Sequence, residues 1–162
     1  MTEMKIWTAR RTVRVAAPPK RVYELIADIH RWPAVFASVT AVERLGERFR
    51  VVEAGGHAWT SVRESNAKRL QVRFRHIDVP APYASVGGLW LVVPKAAGAV
   101  VALDHYYRVL DDSPVTAARM ARELAASGDR LLGTLRRTAE FGGVAELIAS
   151  SLDGVAPERE AS

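Results

Sequence analysis

Residues 59–65 read WTSVRES, and strand alternation sets Trp59, Ser61 and Arg63 on one face and Thr60, Val62 and Glu64 on the other. A buried guanidinium is costly unless something compensates it, so Arg63 is a structural ion pair, a solvated edge or a working group in a cavity. The chemistry open to it is electrostatic. A fixed guanidinium aimed at a carbonyl oxygen stabilises negative charge as it develops, while its high pKa makes it a poor proton donor. His105, in VALDHYYRV, shares strand parity with Val101, Leu103 and Tyr107 and should face the same interior, with Asp104 and Tyr106 pointing outward. Imidazole is the natural acid/base near neutral pH, although a lone inward histidine also reads as a satisfied core residue.

Several elements must position these groups. The segment KIWTARRTVRVAA (5–17) reads as a strand that stops at Pro18-Pro19. PPKRVYELIADI follows as a short amphipathic helix, with Val22, Leu25, Ile26 and Ile29 at helical spacing, and a second helical piece is expected over Pro33 to Ala37. Between Thr40 and Leu110 about six strand-like runs alternate with turn signals, the pattern of an antiparallel meander, and Gly55-Gly56 is the clearest hairpin turn. Residues 114–141 carry a long helical pattern whose apolar stripe includes Val115, Ala118, Met120, Leu124, Ser127, Leu131, Leu132, Leu135 and Ala139. Gly128 and Gly133 inside it allow close packing or mark a bend. The fold class is therefore α+β, a curved antiparallel sheet wrapped around a long C-terminal helix, with room for an internal cavity. Residues 1–141 are expected to form one domain and 142–162 a partly disordered extension.

Bulk composition narrows the partners. The chain has 162 residues, 49% hydrophobic and 25% charged, with no cysteine, which removes disulfides, thiolate nucleophiles and cysteine metal sites. No signal-like leader and no long apolar run are seen, so a cytoplasmic protein without a membrane segment is expected. The net charge of +5 comes from 19 Arg and 4 Lys, the 23 basic residues, scattered rather than clustered and without a nucleic-acid motif. Phosphate-binding, dinucleotide, zinc-protease and serine-hydrolase motifs are absent and the four histidines are dispersed, so no metal and no cofactor is implied. His30 and His57 read as surface residues, while His76 shares parity with Phe74 and is a candidate for burial. Arg69, Arg73 and Arg75 alternate against Leu70, Val72 and Phe74 and read as a solvated row.

The order VRVAAPPKRVYELIADIHRWP, then WTSVR, PAPY with GLW, LDHYY and a helix bearing LRRTAE resembles the bacterial aromatase/cyclases of type II polyketide synthesis over roughly residues 8–140. These are members of the START-like, helix-grip superfamily. The resemblance implies an apolar cavity with Arg63 near the reacting ketones and Trp32, Trp59, Ser61 and Trp90 shaping the walls. Three of the four tryptophans lie on elements that face one interior, which the residues suggest independently, although ordinary core packing is the alternative. Phe74, Tyr83 on the PAPY loop and Tyr107 complete the substrate-binding candidates. The implied reaction is regiospecific aldol cyclisation and dehydration of a poly-β-ketone, with Arg63 polarising a carbonyl and His105, an ordered water or Tyr107 as base. Tyr83 and Tyr106 stand behind these as proton groups.

Two departures stand out: Val39 occupies the position of a tyrosine found in some members, and Ser127-Gly128 replace a polar Asn-Ser pair. They keep open a late-stage dehydratase/cyclase acting on an aromatic intermediate, or a non-catalytic binder of an apolar ligand. The implied partners are a polyketide substrate and an acidic acyl carrier protein on the arginine row, in a monomer or homodimer.

Overall fold

The computed structural model describes residues 3–142. The extension expected over 142–162 lies, beyond Gly142, outside the described residues. Strand β1 (Trp7–Val15) leads into α1 (Pro19–Ala27), a 3-10 turn (Ile29–Arg31) and α2 (Trp32–Val35). Six strands follow: β2 (Val39–Leu45), β3 (Arg48–Glu53), β4 (Ala58–Asn66), β5 (Gln71–Ile77), β6 (Tyr83–Lys95) and β7 (Gly98–Val109). Helix α3 (Pro114–Phe141) closes the described chain.

All neighbouring strands pair antiparallel in the order β1-β7-β6-β5-β4-β3-β2. β1 and β2 are consecutive in sequence yet form opposite edges, so the α1–α2 segment has to cross the concave side to connect them. α1 packs over β5, β6 and β7, and α2 over β2. This is the curved sheet around a C-terminal helix that the pattern of elements implied, and the helix-grip arrangement that the resemblance implied. The Gly55-Gly56 turn is present, with both residues at positive φ. The second helical piece starts and stops earlier than expected, since Phe36 is already extended.

Helix α3 begins on a Ser113 cap whose Oγ accepts the Val115 N–H at 3.2 Å, with Pro114 in the first turn. Two packed clusters hold it against the sheet. Near its start Ala117 and Met120 meet Val86, Tyr107 and Val109. Toward its end Leu132, Leu135 and Ala139 join the main core of Val22, Ile26, Trp90 and Leu103. The buried Thr138 hydroxyl donates to Val35 O at 2.8 Å, and Arg11 of β1 grips Asp129 with two bonds of 2.7 and 2.8 Å. Val115 and Ala118 do not belong to the buried stripe; Val115 is 80% exposed, because the first turn overhangs the sheet and burial begins at Ala117. Gly128 faces Arg11 and Leu103, where an added Cβ would sit 3.4 Å from Arg11 Cγ, whereas Gly133 faces open space and α3 runs on through both.

Asp104 points outward as expected, and is nonetheless buried. Its side chain points to the convex face, as parity requires, but it is 4% exposed because its register partner Arg10 covers it with bonds of 2.6 and 2.7 Å. Replacing Arg10 with Met should cost about 1 kcal/mol of unfolding free energy, a modest loss because the arginine is itself solvated. Arg10→Lys should lose less. Urea denaturation of the three proteins measures this, and an unchanged midpoint for Arg10→Met would remove the pair from the account of stability.

Candidate active site

Between the two clusters along α3 lies a cavity of about 440 Å³. Each surrounding element contributes through its inward parity: Ser61 and Arg63 from β4, Phe74 and His76 from β5, Trp90 from β6, His105 from β7. α3 supplies Leu124, Ser127 and Leu131, and α2 supplies Trp32.

Arg63 has no carboxylate partner within salt-bridge distance among the described residues. Its Nη2 donates to Ile26 O at 2.7 Å and its Nη1 to Ala27 O at 3.4 Å. These are the last carbonyls of α1, the negative end of a helix dipole, which favours a cation there. Its Cζ also lies 4.8 Å from the centroid of the Trp32 ring, close enough for a cation–π contact. Desolvation brings its pKa down to about 10, partly opposed by Tyr23 and Asp28, so it stays charged at neutral pH. The sequence left ion pair, solvated edge and cavity group open. The geometry places a cation against a helix end with N–H groups to spare beside the cavity.

Trp32 fixes the aromatic wall. Its indole N–H donates to Ile26 O at 3.2 Å, and its ring meets Phe36, Trp59 and Trp90 edge-on at 4.7, 6.1 and 6.2 Å. Trp59 in turn donates to Glu53 Oε1 at 3.1 Å. Gly88 keeps the floor open: it pairs with both Phe74 and His105, and an added Cβ would lie 2.5 Å from Phe74 Cζ. Phe74 therefore lies flat enough to meet His105 edge-on at 5.6 Å.

His105 is buried, and desolvation pulls its pKa down to about 4 against the opposing charge of Asp104 on the other side of the strand. It is neutral at pH 7, able to accept a proton. His76, to which the sequence reading gave no role, also lines the cavity. It packs on Trp59 at 4.7 Å and Phe74 at 5.3 Å, and desolvation, reinforced by His105, lowers its pKa to about 4. Parity was the only signal that could have found it.

Tyr107 is a correction. Its hydroxyl donates to Ala117 O at 2.7 Å, it belongs to the cluster at the start of α3, and it does not line the cavity. Tyr83 does line it, half-buried at the end near residues 78–80, with burial foremost raising its pKa to about 12. Tyr106 is exposed, as parity required. Val39 is packed in the core and offers no proton group, while Ser127 reaches the cavity. Among the described residues no group of three metal-ligating side chains comes together, and no helix is long and apolar enough to cross a membrane.

The histidines tie stability to pH. An unfolded histidine titrates near 6.5 and these two near 4, so the unfolded chain takes up these protons first as pH falls. Their contribution is intact above about pH 6.5 and is lost as pH drops toward 4. Thermal melts at about pH 7.5 and 4.5 should show a smaller drop for His76→Phe than for wild type. An equal drop in both would remove His76 as a source.

Residues 7–140 match the family model described as polyketide cyclase / dehydrase and lipid transport. The chain is 40% identical over 152 residues to the granaticin polyketide synthase bifunctional cyclase/dehydratase of Streptomyces violaceoruber, covering 88% of this chain and 47% of that protein. It is 37% identical over 128 residues to the actinorhodin polyketide synthase bifunctional cyclase/dehydratase of Streptomyces coelicolor, covering 74% and 40%. The chain thus spans about half the length of these curated relatives or less. Among solved structures it is similar to the di-domain aromatase/cyclase BexL of the BE-7585A pathway, at TM-score 0.75 and 30% identity over 81% of this chain and 45% of that one. The ZhuI aromatase/cyclase of Streptomyces sp. R1128 matches at TM-score 0.66 and 25% identity over 86% of this chain and all of that one, 100%. With the model match running through every strand and most of α3, the chain belongs to the polyketide cyclase / dehydrase and lipid transport family.

Proposed function

We propose that this chain catalyses regiospecific intramolecular aldol cyclisation and dehydration of a poly-β-ketone. The observation that carries the reading is Arg63, a cation with no carboxylate partner among the described residues, set at the wall of an aromatic cavity. The names of the relatives support the reaction class. A pure carrier of neutral apolar molecules would have no use for that charge.

In this reading the cavity walls hold one folded form of a flexible chain, so that a methylene lies against the ketone it attacks. Neutral His105, or a water it orients, takes a proton from that methylene. The carbanion forms a carbon–carbon bond to the ketone carbon, and the electron pair of the C=O bond moves to oxygen, where Arg63 stabilises the alkoxide. Proton return from the imidazolium gives the alcohol. Loss of a second ring proton and of the hydroxyl as water leaves the double bond. Arg63 stays protonated throughout. The domain is the unit 1–141, and a cytoplasmic setting accords with carrier-bound substrates.

Arg73 and Arg75 are exposed beside an open groove on the convex face, floored by Gly87 and Leu89 and flanked by Tyr106. An acidic acyl carrier protein is the partner proposed for this row. Arg73→Glu with Arg75→Glu should raise KM for carrier-bound substrate roughly tenfold and leave that for released substrate unchanged. Equal KM values for both would remove the docking role.

The central experiment adds wild type, Arg63→Ala and His105→Ala to a polyketide synthase reconstituted without its cyclase, with products read by liquid chromatography and mass spectrometry. Wild type should redirect the products to a dehydrated ring system. Arg63→Ala should lower that rate roughly 10²- to 10³-fold and His105→Ala roughly 10²-fold, with folding checked by circular dichroism. Val39 in place of a tyrosine favours the second reading, a late-stage dehydratase/cyclase. An unchanged product mixture with wild type would sink the early-cyclase reading and favour that one.

A further inference from the structure

Two buried polar groups in the cavity serve neither the fold nor the aldol step. Ser61 is fully buried, and its Oγ has no hydrogen-bond partner among the described residues. His76 Nδ1 is likewise buried and without a partner among the described residues. The two residues are register partners on β4 and β5, so their side chains stand next to each other on the concave face. Buried polar groups are rarely left without a partner, and these two line one cavity side by side.

We propose that Ser61 and His76 form a polar subsite that seats an enolised β-dicarbonyl segment of the substrate, away from the carbonyl held at Arg63. The inference rests on the proposed cyclase reading for the identity of the whole substrate.

The chemistry of the pair selects this ligand class. Burial keeps His76 neutral, so one ring nitrogen donates and the other accepts, and a serine hydroxyl does both. A plain ketone offers acceptors only and an ammonium donors only. An enolised β-dicarbonyl offers a hydroxyl and a carbonyl side by side, which matches the pair and needs no charge. The rings of Trp59 and Phe74 pack beside the imidazole and offer it no acceptor or carboxylate.

Position gives the subsite a task. Ser61 and Arg63 are successive inward residues of β4, separated by roughly 6.6 Å of strand. One polyketone chain can therefore place a carbonyl at Arg63 and an enolised segment at Ser61–His76 together. Holding the second point determines which carbonyl reaches the first. His76 is thus a positioning residue for ring choice rather than a proton carrier.

The test uses benzoylacetone, an enolising β-diketone, and butyrophenone, its mono-ketone counterpart, titrated by calorimetry into wild type, His76→Phe and Ser61→Ala. Wild type should bind benzoylacetone roughly tenfold tighter than butyrophenone. His76→Phe should abolish the preference and Ser61→Ala reduce it, while butyrophenone affinity holds, which also reports an intact cavity. In protein with ¹⁵N-labelled histidine, the His76 ring nitrogens should shift with benzoylacetone and not with butyrophenone. Equal affinities in wild type, an undiminished preference in His76→Phe, or no binding of either probe would overturn the subsite.

The same preparations go into the cyclisation assay. If wild type cyclises and His76→Phe keeps both KM and the ratio of ring isomers, the subsite is wrong and the cyclase reading stands. If wild type leaves the products unchanged, the cyclase reading fails and the binding arm still decides the subsite.

Discussion

Arg63 is held by oxygen atoms that carry no formal charge. Ile26 O and Ala27 O close the end of α1, and the guanidinium replaces the water that would otherwise meet them. A carboxylate in the same place would neutralise the cation and turn it into a structural ion pair. Helix carbonyls and the Trp32 face lower the cost of burial while leaving the positive charge available to a ligand oxygen. The clamp also works in reverse, since it ties α1 to β4 and so sets how far the α1–α2 segment lies from the sheet. Ile26 O accepts from both Arg63 and Trp32, so the cation and the aromatic wall share one anchor.

Space around that cation lies beside the middle of α3, where Gly128 packs against Arg11 and Leu103 while neighbouring side chains line the cavity. The helix's first turns meet Val86 and Val109 and its last turns meet the main core, while Leu124, Ser127 and Leu131 face the gap. Tyr107 is part of what keeps the gap open at one end, since its hydroxyl bonds to Ala117 O and holds helix and sheet together. Gly88 completes the opening by contributing no side chain to the floor. The burial that lines the cavity keeps His76 and His105 neutral, the second against the opposing charge of Asp104, so both are proton acceptors at pH 7.

Family membership and the physical reading meet at this cavity, and each leaves something to the other. The family includes cyclases, dehydrases and lipid-transport proteins, so membership alone does not choose among chemistries. The unneutralised cation and the neutral histidines argue for a reacting carbonyl. The two bifunctional relatives are about twice as long as this chain, so the activity of the whole of either protein comes to this chain only as a proposal.

Alternation alone determined a good deal. WTSVRES specifies that Arg63 faces with Trp59 and Ser61, and VALDHYYRV that His105 faces inward, because strand parity is a local property of two-residue period. The long helical pattern and the turn-separated runs likewise announced the sheet and α3. What a side chain meets after facing inward depends on register and on helices distant in sequence. That is why Tyr107 could not be told from a cavity residue until α3 was in place, and why parity could point Asp104 outward but not show that β1, paired with β7, sets Arg10 over it. Ser61 and His76 became neighbours only through the register of β4 on β5, and Arg63 found the end of α1 across 37 residues of chain. Facing direction is written in the local sequence; partnership is a long-range outcome of how the strands and helices pack.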